Sequence, residues 1–182
     1  MTFLGIQDLK RLQDEHPEYR MELVDGAVII MSPSGYESDE VALEFARLLA
    51  NWVRPRRLGR VTGSSAGFIL PNTDLRAPDV SFVRAERLRR TTRSYAELVP
   101  DLMVEVQSPS DSTKKLRDKI QEFLSLGAKV GILVDPIAQT IEIYRLGESK
   151  ILNNEETLTI PDLLPGFAVA ISELWSPVFE EE

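Results

Sequence analysis

Residues 101–134 limit the fold more than any other stretch, because two different periodicities follow one another there without a break. In 101–107 the period is two, with Leu102, Val104 and Val106 on one face of a predicted strand and Met103, Glu105 and Gln107 on the other. Ser108-Pro109-Ser110-Asp111 closes that strand and is expected to cap a helix running to about Leu126, with Gly127 as its C-terminal stop. Residues 130–134 then read as a buried strand, and 139–145 alternate as its antiparallel neighbour across Asp135-Pro136. A sheet with at least one helix packed on it is required.

The flanking segments extend this plan. Residues 3–15 form an amphipathic pattern with Leu4, Ile6, Leu9 and Leu12 on one side, stopped by Pro17, which predicts a helix on the sheet edge. Residues 19–24 and 27–31 are strand-like runs joined by Asp25-Gly26, a strong two-residue hairpin signal. After Ser32-Pro33-Ser34-Gly35 a long helix is predicted to about Val53, with Val41, Phe45, Leu48, Leu49 and Trp52 along its apolar stripe. Short strands are predicted over 60–62, 67–70 and 79–83, an Arg-rich polar stretch over 84–97, and short extended pieces over 156–175. With no linker and no repeat, the expectation is a single domain over 1–182, of α/β (α+β) class, with an N-terminal helix and hairpin and a mixed sheet flanked by helices.

Composition narrows the chemistry. The chain has no Cys and one His, His16, so disulfides, thiol nucleophiles and Cys- or His-built metal clusters are excluded, and any metal must be held by oxygen. No basic-then-apolar leader is present and no apolar run is long enough to span a bilayer, so a soluble, cytoplasmic protein without a membrane partner is expected. The net charge of −8 argues against a general nucleic-acid binder. The uneven spread of charge weakens that objection, because 13 of the 21 Lys and Arg fall within residues 54–60, 84–93 and 114–119, which hold only two acids, Glu86 and Asp118. Such clusters serve either as solvated faces or, near Arg56 and Arg89, as phosphate contacts.

The acids carry the sharper signal. The apolar face of 101–107 is complete without Glu105, and Asp79 leads another predicted strand directly after Pro78. Two carboxylates about 4 Å apart repel by roughly 4 kcal/mol at an effective dielectric near 20, so one is protonated or a divalent cation lies between them. Magnesium or manganese suits such a place, and Asp79, Glu105 and the backbone carbonyl of Gln107 would make the ligand set. On a helical wheel Glu37 falls close to the Val41, Phe45, Leu48 stripe and is expected to face the sheet. Lys119 lies at the margin of the Leu116, Ile120, Phe123 stripe, where its stem covers apolar surface while its ammonium reaches a strand end. The bland alternative has Asp79 and Glu105 half-exposed at separate strand ends, bonded to loop amides.

The stretch APDVSFV at residues 77–83, followed by DLMVEVQSPSDSTKKLRDKIQEFLSLGAKVGILVDP at 101–136, resembles the Uma-type bacterial family of restriction-endonuclease-like proteins, within the PD-(D/E)XK nuclease superfamily. The likeness extends from the MSPSGYES loop at 31–38 to the PGF at 165–167. It implies a restriction-endonuclease-like core with Asp79 as the motif aspartate, Glu105 as the motif (D/E) and Glu37 as the acid from the first core helix. The motif lysine belongs two residues after the glutamate, where this chain has Gln107; in some members a nearby helix supplies it, which points to Lys119. The implied function is a magnesium-dependent DNA endonuclease in which Lys119 or Gln107 orients the attacking water. Paired cuts on duplex DNA suggest a homodimer. The competing expectations are a nuclease-derived binding or dimerisation module without turnover, and a metal-dependent hydrolase of a small phosphorylated molecule.

Overall fold

The N-terminal hairpin forms as its turn chemistry demands. In the computed structural model, which describes residues 3–179, α1 (Ile6–Glu15) precedes β1 (Arg20–Val24) and β2 (Ala27–Met31), paired antiparallel with Val24 opposite Ala27. Asp25 and Gly26 both take positive φ, 49° and 72°, which suits the right-handed twist of the two strands. Next come α2 (Tyr36–Val53), β3 (Gly59–Gly63), β4 (Phe68–Ile69), β5 (Leu75–Arg76) and β6 (Val80–Arg84). The chain continues with β7 (Leu102–Val106), α3 (Thr113–Ser125), β8 (Val130–Asp135), β9 (Thr140–Arg145) and β10 (Glu148–Leu152). A small antiparallel pair, β11 (Thr157–Thr159) and β12 (Ala168–Ala170), closes the described chain with a 3-10 turn at Ile171–Leu174.

The main sheet has the order β10-β9-β8-β7-β6-β3, mixed because β7 and β8 run parallel on either side of the α3 crossover while the other pairs are antiparallel. A second, antiparallel sheet has the order β2-β1-β5-β4, and α1 packs on it through Leu9 against Leu23 and Leu75. The dipeptide strand β5 escapes sequence reading because two residues carry no periodicity. Its neighbours are what make it a strand.

Helices cover both faces of the main sheet. On one, Val41, Phe45 and Leu49 of α2 pack against Phe82, Val104 and Ile132; on the other, Ile120 and Phe123 of α3 pack against Met103 and Leu133. All five residues of β7 are therefore buried, and an acid on this strand lies inside the protein. The approach of α3 is close: a Cβ on Gly131 would stand 2.4 Å from Ile120 Cγ2. The cap of α3 corrects the sequence expectation by one residue. Ser112, not the 108–111 tetrad, caps the helix, its hydroxyl accepting from the Lys115 N–H at 3.4 Å. Asp111 instead ties the loop to itself, accepting from the Ser108 N–H and Oγ at 2.8 and 2.7 Å. Among the described residues no helix is long and apolar enough to cross a membrane.

Candidate active site

The antiparallel register of β6 and β7 sets Val80 opposite Val104, so Asp79 and Glu105 face each other one step further along the ladder. Asp79 Oδ2 accepts the Val106 N–H at 2.8 Å, which anchors that carboxylate to the β7 backbone. Glu105 is 4% exposed. From α3, one turn before Phe123 and on the helix face turned to the sheet, Lys119 extends to the same place. Its Nζ donates to Glu105 Oε2 at 3.1 Å and to the Ala77 carbonyl at 3.0 Å, and stands 3.5 Å from Glu22 Oε1. The second Glu105 oxygen, Oε1, is 2.9 Å from Nζ but outside hydrogen-bonding alignment, which leaves it a buried oxygen without a donor.

Burial dominates the electrostatics. It pushes the Glu105 carboxyl up to about 7, with Asp79 adding to the rise and the Lys119 ammonium opposing it. Asp79 is raised by the same desolvation, partly offset by the Val106 N–H and by Lys119. For Lys119 burial works against the charge, yet Glu105 and Glu22 outweigh it and hold the ammonium above its ordinary range. The centre is thus a lysine kept cationic between carboxyls that resist ionising together.

Two expected members stand elsewhere. Glu37 is exposed, because the buried stripe of α2 runs through Ser38, Val41, Phe45 and Leu49 and places Glu37 roughly 100° from its middle at 100° per residue. Gln107 lies past the end of β7. Its side-chain oxygen accepts from Thr113 Oγ1 at 3.0 Å, and the cleft over the acids, about 200 Å³, is walled by Val106 and Ser108 rather than by Gln107.

Glu22 was not found by sequence reasoning. It is 4% exposed, its Oε1 accepts the Ala77 N–H at 2.7 Å, and its Oε2 lies 3.0 Å from Arg76 Nε. Arg76 in turn donates to Glu122 Oε2 at 2.7 Å. The available signal was weak: an acid in the middle of a short strand, on the same face as Arg20 and Val24.

A hard divalent cation suits this donor set in character, since it would relieve the repulsion between the buried Glu105 carboxyl and the half-buried Asp79 carboxyl, and would take up the Glu105 oxygen that Lys119 approaches without hydrogen-bond alignment. Among the described residues no group of three or more His, Asp or Glu converges on one point, so Asp79 and Glu105 would hold such an ion together with waters or backbone carbonyls of the cleft wall. The basic segments divide. Arg87 and Arg84 lie 2.9 and 3.8 Å from the buried Asp101 carboxylate, and the Arg56 guanidinium stacks 3.4 Å over the Trp52 ring. Arg60 and Arg93 instead line a second cavity beside the cleft.

Comparison with known proteins bears on the family and the fold. The model of a family described as "Uma2: Putative restriction endonuclease" matches residues 6–172. Among solved structures, a nuclease described as putative and as belonging to DUF820, from Anabaena variabilis ATCC 29413, superposes with a TM-score of 0.74 at 24% identity, over 86% of this chain and 90% of that one. It shares the fold. A cryo-electron-microscopy structure of a DrdV–DNA complex aligns with a TM-score of 0.38 at 17% identity, over 59% of this chain and 9% of that one, too low to bear on the fold. No curated protein sequence matches.

Proposed function

The chain belongs to the Uma2 family of restriction-endonuclease-like proteins, and from that premise we propose that its cleft hydrolyses phosphodiester bonds of DNA with a divalent cation, as a PD-(D/E)XK endonuclease. The observation that carries the reading is Lys119. Position 107, where the motif lysine belongs, holds Gln, yet an ammonium from α3 donates to Glu105 at 3.1 Å. A positive charge beside the two motif acids is what phosphoryl transfer needs, because charge gathers on the phosphate oxygens as water attacks phosphorus and the ester bond breaks. Magnesium or manganese, held by Asp79 and Glu105, would supply further charge neutralisation and a more acidic bound water. Lys119 would orient the phosphate or the attacking water through its remaining donor capacity. Asp79 is preoriented by its bond to the Val106 N–H. A homodimer acting on both strands of a duplex belongs to the same proposal.

A second reading has one observation in its favour. Gln107 is tied to Thr113 and offers no charge, and a nuclease-derived module without turnover would keep the fold and lose cleavage. One assay separates the two: plasmid and single-stranded DNA incubated with magnesium, manganese or chelator. Metal-dependent cleavage that disappears in Asp79→Ala supports the enzyme. Absence of cleavage with either metal overturns it in favour of the module.

A further inference from the structure

Beside the acidic cleft, of about 200 Å³, lies a larger cavity of about 610 Å³. The two stand in series: a smaller intervening hollow is lined by Arg20 and Ser64 in common with the cleft, and by Ser65 and Tyr95 in common with the larger cavity, so the three hollows follow one another from Glu105 to the far end as a groove bridged where Arg20 meets Ser64. Arg20, exposed at the junction, donates to the Ser64 carbonyl.

Lys10, Arg60 and Arg93 line the larger cavity and Arg20 the junction, and among the described residues none of the four is within ion-pair distance of a carboxylate. Asp14 is the single acid in the larger cavity's wall. Elsewhere the cations are often neutralised, as Arg76, Arg87, Arg117 and Arg145 are. Arg60 is also braced, its Nε and NH2 donating to the Leu88 and Arg89 carbonyls at 3.0 Å each, which fixes a guanidinium in the wall without cancelling its charge. Thr62, Ser81 and Thr91 and the Tyr95 ring are also in the wall, the Thr62 and Ser81 hydroxyls bonded to each other at 2.6 Å. That ring lies where a Cβ on Gly67 would come within 2.7 Å, so the glycine leaves room for it.

We propose that this groove seats the DNA backbone flanking the scissile phosphate, with Arg20, Lys10, Arg60 and Arg93 contacting successive phosphates as the strand leaves the acidic cleft. The proposal rests on the nuclease reading above. Its logic is electrostatic complementarity: four cations without a carboxylate partner, and in the larger cavity a single acid, fit a polyanion, and the acidic remainder of the surface disfavours its binding elsewhere. The cavity volume falls within the roughly 300–1,000 Å³ of small-ligand sites, but its wide opening to solvent suits a chain lying across it rather than an enclosed molecule.

The test is binding without chemistry. Anisotropy of a short fluorescein-labelled DNA duplex is followed in chelator over a salt series for wild type, for Lys10→Ala/Arg93→Ala, and for Arg54→Ala/Lys129→Ala, which removes the same charge outside the groove. Arg60 is left intact because it also braces residues 88 and 89. Expected are an at least tenfold rise in Kd for the groove pair and a slope of log K against log salt smaller by about 2, one per lost phosphate contact. The control pair should stay within about twofold of wild type. Equal effects from the two pairs, or no salt-dependent binding in wild type, overturn the groove. Groove-dependent binding without magnesium-dependent cleavage leaves the groove standing and removes the nuclease reading; cleavage that ignores Lys10 and Arg93 does the opposite.

Discussion

Glu105 makes the metal-free protein lose stability as pH rises through neutrality. In the folded state its carboxyl is pushed from an ordinary 4.5 up to about 7 by burial. Between those values the native protein holds a proton that the unfolded chain has released, so unfolding becomes easier with each increment of pH. A shift of that size corresponds to about 3 kcal/mol at 1.36 kcal/mol per pH unit, of which about 2 kcal/mol falls between roughly pH 5 and pH 7.5. Glu105→Gln removes this titration and keeps the shape. Lys119 retains the Ala77 carbonyl at 3.0 Å and Glu22 at 3.5 Å as partners, so its ammonium is not abandoned. Urea unfolding in chelator, run for both proteins at the two pH values, isolates the group and its coupling to Asp79 and Lys119, because titrations remote from Glu105 cancel in the difference. The variant should gain about 2 kcal/mol on wild type from the lower to the higher pH. Parallel profiles, or a wild type that gains on the variant, would refute the argument that desolvation outweighs Lys119 at this carboxyl.

Lys119→Ala should lower metal-dependent DNA cleavage at least tenfold, about 1.4 kcal/mol of barrier, while Gln107→Ala costs less because that side chain is occupied by Thr113; initial rates on plasmid decide. Magnesium or manganese should raise the melting temperature of wild type and leave Asp79→Ala and Glu105→Ala unmoved, since a ligand bound only to the folded state stabilises it; an equal response in all three removes the site. Gly131→Ala should destabilise by about 1–3 kcal/mol in denaturant melts, because its Cβ would meet Ile120 Cγ2 at 2.4 Å and push α3 off the sheet. Light scattering at tens of micromolar should give a dimer mass; a monomer there counts against paired cutting of duplex DNA.

The elements with a local cause are legible in the sequence alone. Asp25-Gly26 specifies its hairpin through two positive φ angles, the α2 and α3 stripes repeat every turn, and the alternation of 140–145 places that strand beside β8. Asp79 and Glu105 are legible for a different reason. Each is an acid next to residues that already complete an apolar strand face, which marks the position as costly unless something there uses the charge. Glu37 shows the limit of the same method: a stripe drawn through Val41, Phe45 and Leu48 sets the buried face too near Glu37, whereas the face that packing selects runs through Ser38, Val41, Phe45 and Leu49 and leaves that side chain in solvent.

What tertiary structure alone decided is the company each side chain keeps. Glu22 and Arg76 are separated by more than fifty residues and join the site only because β1 pairs with the dipeptide strand β5, a contact with no local signature. Lys119 could be read as a surface lysine until the parallel β7–β8 crossover laid α3 on the sheet and left its ammonium with Glu105. The groove beside the cleft is likewise assembled from α1, β3 and the 88–96 segment. Periodicity and turn preference are properties of neighbours along the chain, whereas register and helix docking are settled by which apolar faces bury one another, and only that choice brings distant charges within about 3 Å.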